Sequence, residues 1–294
     1  VKYLVTGGAG FIGSFVTAKL IENGHSVTII DDFSSSTKET VHPKATLVEG
    51  SILDPAALKK AIQGIDGVFH LAAEVSVPAS MKNPQKTLQV NALGTLRILE
   101  AMKSQKVDKI VYSSTSAVYG DRGQTPNTED LTPRPLSPYA YSKLQGEYFI
   151  KTYTHLHGIK SVIFRYFNVF GPGQKPDSPY AAVIPIFLDR IRQQKPLTIF
   201  GDGTQTRDFI FVNDVAQANL LAMQSDFSGE VINIGTGHAI SLLELTKLLN
   251  PTQIIHEPAR EGDILHSSAN IEKAKTLLSF TPKTTLQEGL KEML

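Results

Sequence analysis

The sequence predicts an α/β protein, a doubly wound parallel sheet followed by a smaller C-terminal α/β lobe. Three observations carry this. Apolar strand-like runs alternate with amphipathic helix-like runs as far as about residue 166, the pattern of a parallel sheet covered on both faces. A glycine turn, Gly7-Gly8-Ala9-Gly10-Phe11-Ile12-Gly13, joins the first strand to the first helix. Beyond Asn168 the rhythm breaks at Gly171-Pro172-Gly173 and the elements shorten.

The elements follow in order. Residues 3–5 form the first strand and residues 11–21 the first helix. The next strand, residues 25–30, ends in Asp31-Asp32, and a third spans residues 45–48. A short helix at 55–63 precedes a strand at 67–71 that runs into Ala72-Ala73, and a long helix is expected over 84–104. The strand at 109–112 ends in a hydroxyl cluster, Ser113-Ser114-Thr115-Ser116. Residues 120–138 are polar and proline-rich and read as a loop, and a connection of that length in a compact domain is more often functional than idle. A helix over 139–157 and a strand over 161–166 complete the regular part. In the second lobe a helix is expected near 183–193 and a strand at 197–200. Strands at 209–211 and 231–234, with a helix at 213–224 between them, form a βαβ-like piece expected to rejoin the main sheet. The domains are therefore residues 1–167, completed by about 206–236, and residues 168–294.

Gly7, Gly10 and Gly13 carry the spacing of the dinucleotide fingerprint of Rossmann-type sheets. One glycine makes the turn, one lets backbone approach a pyrophosphate, and one packs helix on strand. The helix N-terminus offers free N–H groups and the positive end of a dipole to the phosphates. Asp31-Asp32 stands close to the expected distance of about 20 residues on, where a carboxylate accepts from ribose hydroxyls and repels a 2′-phosphate. No arginine follows nearby, so NAD is expected rather than NADP.

Hydrophobic content of 41%, charge of 19% and a net charge of +1 are those of an ordinary globular chain and give no reason to expect a nucleic-acid partner. There is no cysteine, which removes disulfides, thiol nucleophiles and thiolate-bound metals; no metal site is expected. No apolar run approaches a membrane span. With a first strand starting almost at residue 1, no leader is expected, and the chain reads as cytoplasmic. The long helices at 84–104 and 139–157 are apolar around much of their circumference, which fits a deep core position or a subunit interface; the reading adopted is a homodimer.

Tyr139-Ala140-Tyr141-Ser142-Lys143 places a phenol and an ammonium on one helix face at i and i+4. An ammonium beside a phenol favours the phenolate, and a cationic nicotinamide favours it further, giving a general base near neutral pH. The hydroxyl cluster at 113–116 ends a strand where open α/β sheets bind their ligands.

These residues, with His70-Leu71-Ala72-Ala73, Asn91, Val118-Tyr119-Gly120, Arg165-Tyr166-Phe167-Asn168 and Arg207-Asp208-Phe209, resemble the extended short-chain dehydrogenases/reductases. More narrowly they resemble the UDP-galactose (UDP-sugar) 4-epimerase family, in the family's order over nearly the whole chain. The resemblance implies NAD held by Gly7, Gly10, Phe11, Ile12, Gly13, Asp31, Asp32, Ser51 and Ile52. It adds Leu71, Ala72, Ala73, Asn91, Ser113, Tyr139, Lys143 and Tyr166 to that set. It implies a UDP-sugar held by Ser76, Thr115, Asn168, Phe200, Arg207, Arg260, Asp263 and Ser267. By the same match Thr115, Tyr139 and Lys143 are catalytic, Arg207 and Arg260 pair with the diphosphate, and Phe200 stacks on uracil. The implied reaction is 4-epimerisation of UDP-glucose/galactose and also of the N-acetylated pair, by transient oxidation at C4. Ser267 stands where restricted members carry tyrosine, unless the register is one residue off, at Ser268.

Two departures bear on this. Gly50-Ser51-Ile52 replaces the family's frequent Gly-Asp-Ile, which weakens an adenine contact. Ser116-Ala117 stands where related dehydratases carry Asp-Glu, and Ala117 where decarboxylases carry glutamate. Other nucleotide-sugar chemistry (a UDP-glucuronate 4-epimerase, a decarboxylase or a reductase) and a non-catalytic dinucleotide sensor remain as alternatives.

Overall fold

The computed structural model describes the chain except for residues 124–125, 177–181 and 260–263. The first part alternates β1 (Lys2–Thr6), α1 (Phe11–Glu22), β2 (Ser26–Asp31), β3 (Thr46–Glu49), α2 (Pro55–Ile62) and β4 (Gly67–His70). Three helices follow in series, α3 (Val77–Lys82), α4 (Pro84–Leu88) and α5 (Gly94–Gln105), with a π turn at Gln89–Leu93 joining the last two. Then come β5 (Lys109–Thr115), α6 (Pro138–His157) and β6 (Lys160–Tyr166). The chain continues through β7 (Asn168–Phe170), α7 (Val183–Arg192), β8 (Leu197–Phe200), β9 (Thr206–Phe211) and α8 (Val212–Gln224). It ends with β10 (Glu230–Ile234), β11 (Ala239–Ser241), α9 (Leu242–Leu249), β12 (Ile254–Glu257), β13 (His266–Ser267), α10 (Glu272–Leu278) and α11 (Leu286–Met293).

Seven parallel strands form the main sheet in the order β10-β6-β5-β4-β1-β2-β3. Both faces are covered, which is why its strands are apolar at nearly every position rather than at alternate ones. Neighbouring residues supply opposite faces: Val5, Ile29 and Phe164 pack with Val16 and Leu20 of α1 and with Val215 of α8. Leu4, Ile30 and Ile163 pack with Ile62 of α2, Ile98 and Leu99 of α5 and Ile150 of α6. The strand order reverses between β1 and β4, and ligands of such sheets bind outside the carboxyl ends at that point.

In the second lobe β9 is the hub, antiparallel to β11 and parallel to β13 and β7. A separate parallel pair joins β8 and β12. Phe170, Phe187, Leu197, Ile199, Phe211 and Leu245 form its core.

Three expectations need correction. The helix expected over 84–104 is not regular: the π turn interrupts it, and the Thr95 hydroxyl donates to the Asn91 carbonyl at 2.6 Å inside it. Of the βαβ-like piece, only β10 enters the main sheet, against β6, while β9 organises the second sheet. The short strands β7, β11, β12 and β13 were not anticipated, because each is defined by a distant partner rather than by its own pattern.

Candidate active site

A cavity of about 520 Å³ opens at the carboxyl ends of the main-sheet strands. Its floor is the glycine turn. Gly7 has φ +67°, and a Cβ there would meet the Ala72 nitrogen at 2.8 Å. A Cβ on Gly13 would lie 2.0 Å from the Gly7 carbonyl oxygen, whereas one on Gly10 would meet only that oxygen, at 3.1 Å. Gly10 stands at the N-cap of α1 and provides no side-chain cap, and Phe11, Ile12 and Gly13 line the cavity. Bare backbone and uncapped N–H groups are what a pyrophosphate requires, so the residues fit a dinucleotide.

The sequence-predicted cofactor residues come together here. Gly7, Gly10, Phe11, Ile12, Gly13, Asp31, Asp32, Ser51, Ile52, Leu71, Ala72, Ala73, Ser113, Tyr139, Lys143 and Tyr166 all line the cavity. Asp31 is already heavily used: Oδ2 accepts from Ala9 N at 3.0 Å, and Oδ1 accepts from Phe33 N at 3.0 Å and the Ser36 hydroxyl at 2.8 Å. A carboxylate offers about four acceptor directions, so one remains, on Oδ2.

Asn91 is the exception and acts as a brace. It is buried, its Oδ1 accepts from Glu74 N at 2.7 Å, and its Nδ2 donates to the Glu74 carbonyl at 3.0 Å and the Ser142 hydroxyl at 2.9 Å. Ser142 donates in turn to the Tyr139 carbonyl at 2.7 Å, and the Tyr139 N–H donates to the Ser80 hydroxyl at 3.1 Å. Both backbone groups of Tyr139 are thereby held. His70 is a second brace. Thr95 spends its proton on Asn91, so it accepts at 2.9 Å from the protonated Nε2 of His70, and Nδ1 accepts from Thr6 at 2.8 Å. The Thr6 oxygen accepts from the nitrogens of Leu71 and Ala72, which fixes the cavity wall. Burial pushes His70 well below its ordinary pKa, and the ring stays neutral.

At the other end Thr115, Tyr139 and Lys143 converge. The Thr115 oxygen accepts from Ala117 N at 3.1 Å, and its hydroxyl favours the Tyr139 phenolate. Burial nevertheless raises the Tyr139 pKa, which corrects the expectation that the lysine pulls it down. Lys143 directs its Nζ over the Tyr112 ring, 4.4 Å from the centroid. Burial lowers the Lys143 pKa to about 7, with Glu147 opposing. A lysine only partly charged near neutrality does not overcome the desolvation of a buried phenol.

The predicted substrate residues are scattered by comparison. Thr115 lines the cavity, but Ser76, Asn168, Phe200, Arg207 and Ser267 are not on its wall. The Ser76 oxygen caps α3 by accepting from Ala79 N at 3.0 Å. Asn168 opens β7 and Phe200 closes β8, both half-buried. Arg207 and Ser267 are register partners on β9 and β13, and Arg207 Nη1 donates to the Thr206 carbonyl at 2.8 Å. Asp208, fully buried beside Arg207, accepts from Thr236 N, the Thr236 hydroxyl, Gly237 N and Ala269 N at 2.6–3.1 Å. Arg260 and Asp263 lie outside the described residues.

Sequence reasoning missed several cavity residues, among them Ser34, Ser35, Gly50, Gln174 and Lys175. The serine run at residues 34–36, which begins two residues after Asp32, was the available signal. It also missed Glu147, four residues beyond Lys143 on the same helix face.

The NAD dependent epimerase/dehydratase family matches residues 3–235. The UDP-glucose 4-epimerase of Thermotoga maritima, solved with UDP-glucose, superposes with a TM-score of 0.96 at 39% identity, covering 100% of this chain and 97% of that one. The UDP-glucose 4-epimerase of Thermus thermophilus, solved in complex with NAD, gives 0.92 at 32% identity, covering 100% and 97%. A curated relative from Bacillus cytotoxicus, a UDP-N-acetyl-alpha-D-glucosaminuronate decarboxylase, is 36% identical over 100% of this chain and 96% of its own.

Proposed function

The chain belongs to the NAD dependent epimerase/dehydratase family, with NAD as its cofactor, and within it we propose a 4-epimerase of UDP-hexoses. The observation that carries this reading is that, among the described residues, no free acid stands at the reacting end. Among the described residues the carboxylates on the cavity wall are Asp31 and Asp32, at the end of β2. Behind Thr115 stands Ala117, not an acid, and Glu147 is locked to Arg165 at 2.7 Å. Elimination of water or assisted decarboxylation asks for such a group; inversion at C4 does not.

NAD, when bound, supplies the acceptor and donor of the C4 hydride. Tyr139 takes the 4-hydroxyl proton and later returns it, and Thr115 aligns the hydroxyl. Lys143 orients the nicotinamide ribose. Burial alone keeps the phenol protonated, so proton removal is tied to the loaded cavity, where added positive charge favours phenolate. Arg207, beside Ser267 on the second sheet, anchors the diphosphate while the sugar turns. Ser267 leaves room for an acetamido group at C2, so both hexose pairs are substrates.

Purified protein should release NAD or NADH on denaturation and interconvert UDP-glucose and UDP-galactose with no net redox change. Turnover that consumes added NADH, or loss of carbon dioxide from a UDP-glucuronate, would overturn the reading. Leu88 and Leu93 near the π turn and Tyr141 and Tyr148 on α6 are exposed apolar side chains, which supports an isologous dimer through these helices. Light scattering at micromolar concentration should give twice the chain mass, and a monomer would refute it.

A further inference from the structure

Behind the cavity lies a buried ion pair that the proposed reaction does not use. Arg165 Nη2 donates to Glu147 Oε2 at 2.7 Å and its Nε to Oε1 at 3.0 Å, with side chains 3% and 1% exposed. The Ser114 hydroxyl donates to Oε1 at 2.6 Å, and the Tyr119 ring lies 4.7 Å from the guanidinium carbon. Replacing such a pair by apolar residues of similar volume is often neutral or stabilising, so stability alone gives no reason for placing charge here. Its position does. Tyr139, Lys143 and Glu147 recur every four residues of α6 and share one face.

We propose that Glu147 is a positioning residue for Lys143: paired with Arg165 and hydrogen-bonded by Ser114, its carboxylate is the counter-charge that keeps an ammonium at the cavity where the cofactor ribose binds. The inference rests on the assignment of Lys143 to NAD. The groups facing Lys143 support it. On its own helix they are Tyr139 and Glu147. From β5 come the Tyr112 ring and, on the wall of the same cavity, Ser113, Ser114 and Thr115 with their neutral hydroxyls. From β4 comes His70, neutral between Thr6 and Thr95. From β6 come Arg165, which is spent on Glu147, and Tyr166, whose burial keeps its phenol protonated with a pKa of about 12. Asp31 and Asp32 line the same cavity at the end of β2. Burial works against the ammonium and Glu147 works for it. Arg165 matters at one remove, because an unpaired buried glutamate would take up a proton and lose its charge.

Glu147→Gln and the double variant Glu147→Gln/Arg165→Met separate this role from simple packing. The double variant leaves no unpaired Arg165 guanidinium in the core, so its melting temperature should recover towards wild type. Its alkaline limit, for both NAD retention and kcat, should still lie about one pH unit lower. That is about tenfold loss at pH 8 with less than threefold at pH 6. Should the single variant not fold, the double variant carries the comparison. A double variant whose pH profile returns with its stability would overturn the proposal and leave the pair a packing element. Lys143→Met distinguishes failure of the underlying assignment: if it retains NAD and full rate, the cofactor role of Lys143 is wrong. If it loses both while the double variant keeps a wild-type profile, only the role of Glu147 is wrong.

Discussion

The two halves of the molecule hold their surroundings by different means. On the main-sheet side the cavity is made largely of backbone: a glycine turn, an uncapped helix start and the ends of parallel strands in strict register. On the second-lobe side the predicted substrate groups are side chains on strands of two to six residues. One buried carboxylate, Asp208, ties together β9, the turn after β10 and the segment after β13. The first arrangement is set by backbone. Under the proposed function the second tunes specificity through single side chains, because Asp208 fixes the frame that carries them.

The sharpest way to test that division is Tyr139→Phe, which removes a proton acceptor while leaving both frames intact. The rate should fall by about 10³-fold, with NAD content per protein unchanged when measured after denaturation. Loss of NAD along with rate would show that the tyrosine belongs to the binding frame as well. Next in size is Gly13→Ala. Its Cβ would sit 2.0 Å from a backbone oxygen, so the turn must move, at a cost of about 1–3 kcal/mol or more. Most bound NAD should be lost and the melting temperature should fall. Gly24→Ala, with nothing within 4 Å of its Cβ but φ +80°, should cost only backbone strain and leave NAD in place.

On the second-lobe side, Ser267→Tyr should lower turnover of UDP-GlcNAc/GalNAc by about 100-fold, the upper range for overfilling a site. UDP-galactose turnover should stay within threefold. Equal loss on both pairs, or on neither, would remove Ser267 as the specificity position. The last effect is a pH dependence of stability. Below about pH 7 Lys143 is charged both folded and unfolded, so the cost of burying its ammonium is felt in full. Between about 7 and its ordinary 10.5 only the unfolded chain keeps the proton, so stability rises with pH there. Relative to Lys143→Met, wild-type protein should gain up to a few kcal/mol across that interval, read as a rising difference in chemical-denaturation midpoints. A flat difference would contradict the depressed lysine.

The glycine turn, Asp31, the strand ends and Tyr139/Lys143 were legible because each is local. Spacing within a few residues states both the element and the chemistry. The direction of the Tyr139 shift was not legible, since it depends on burial by residues from other elements. Asn91 could be picked out by resemblance but not its task, because the π turn that aims it at Glu74 and Ser142 leaves no periodic mark. The second sheet was opaque for a similar reason: β13 is two residues long and exists only through its pairing with Thr206 and Arg207.

The return of β10 to the main sheet has a consequence for how the chain is made. When β6 leaves the ribosome it is the open edge of an unfinished sheet, with Val162, Ile163 and Phe164 beside an unpaired backbone. Roughly 60 residues must be synthesised before Glu230–Ile234 can cover it, several seconds at ordinary elongation rates. During that interval the strand is a template for any extended segment that meets it, including the same strand of a neighbouring nascent chain. The second lobe, whatever it does for the substrate, sets the length of that exposure.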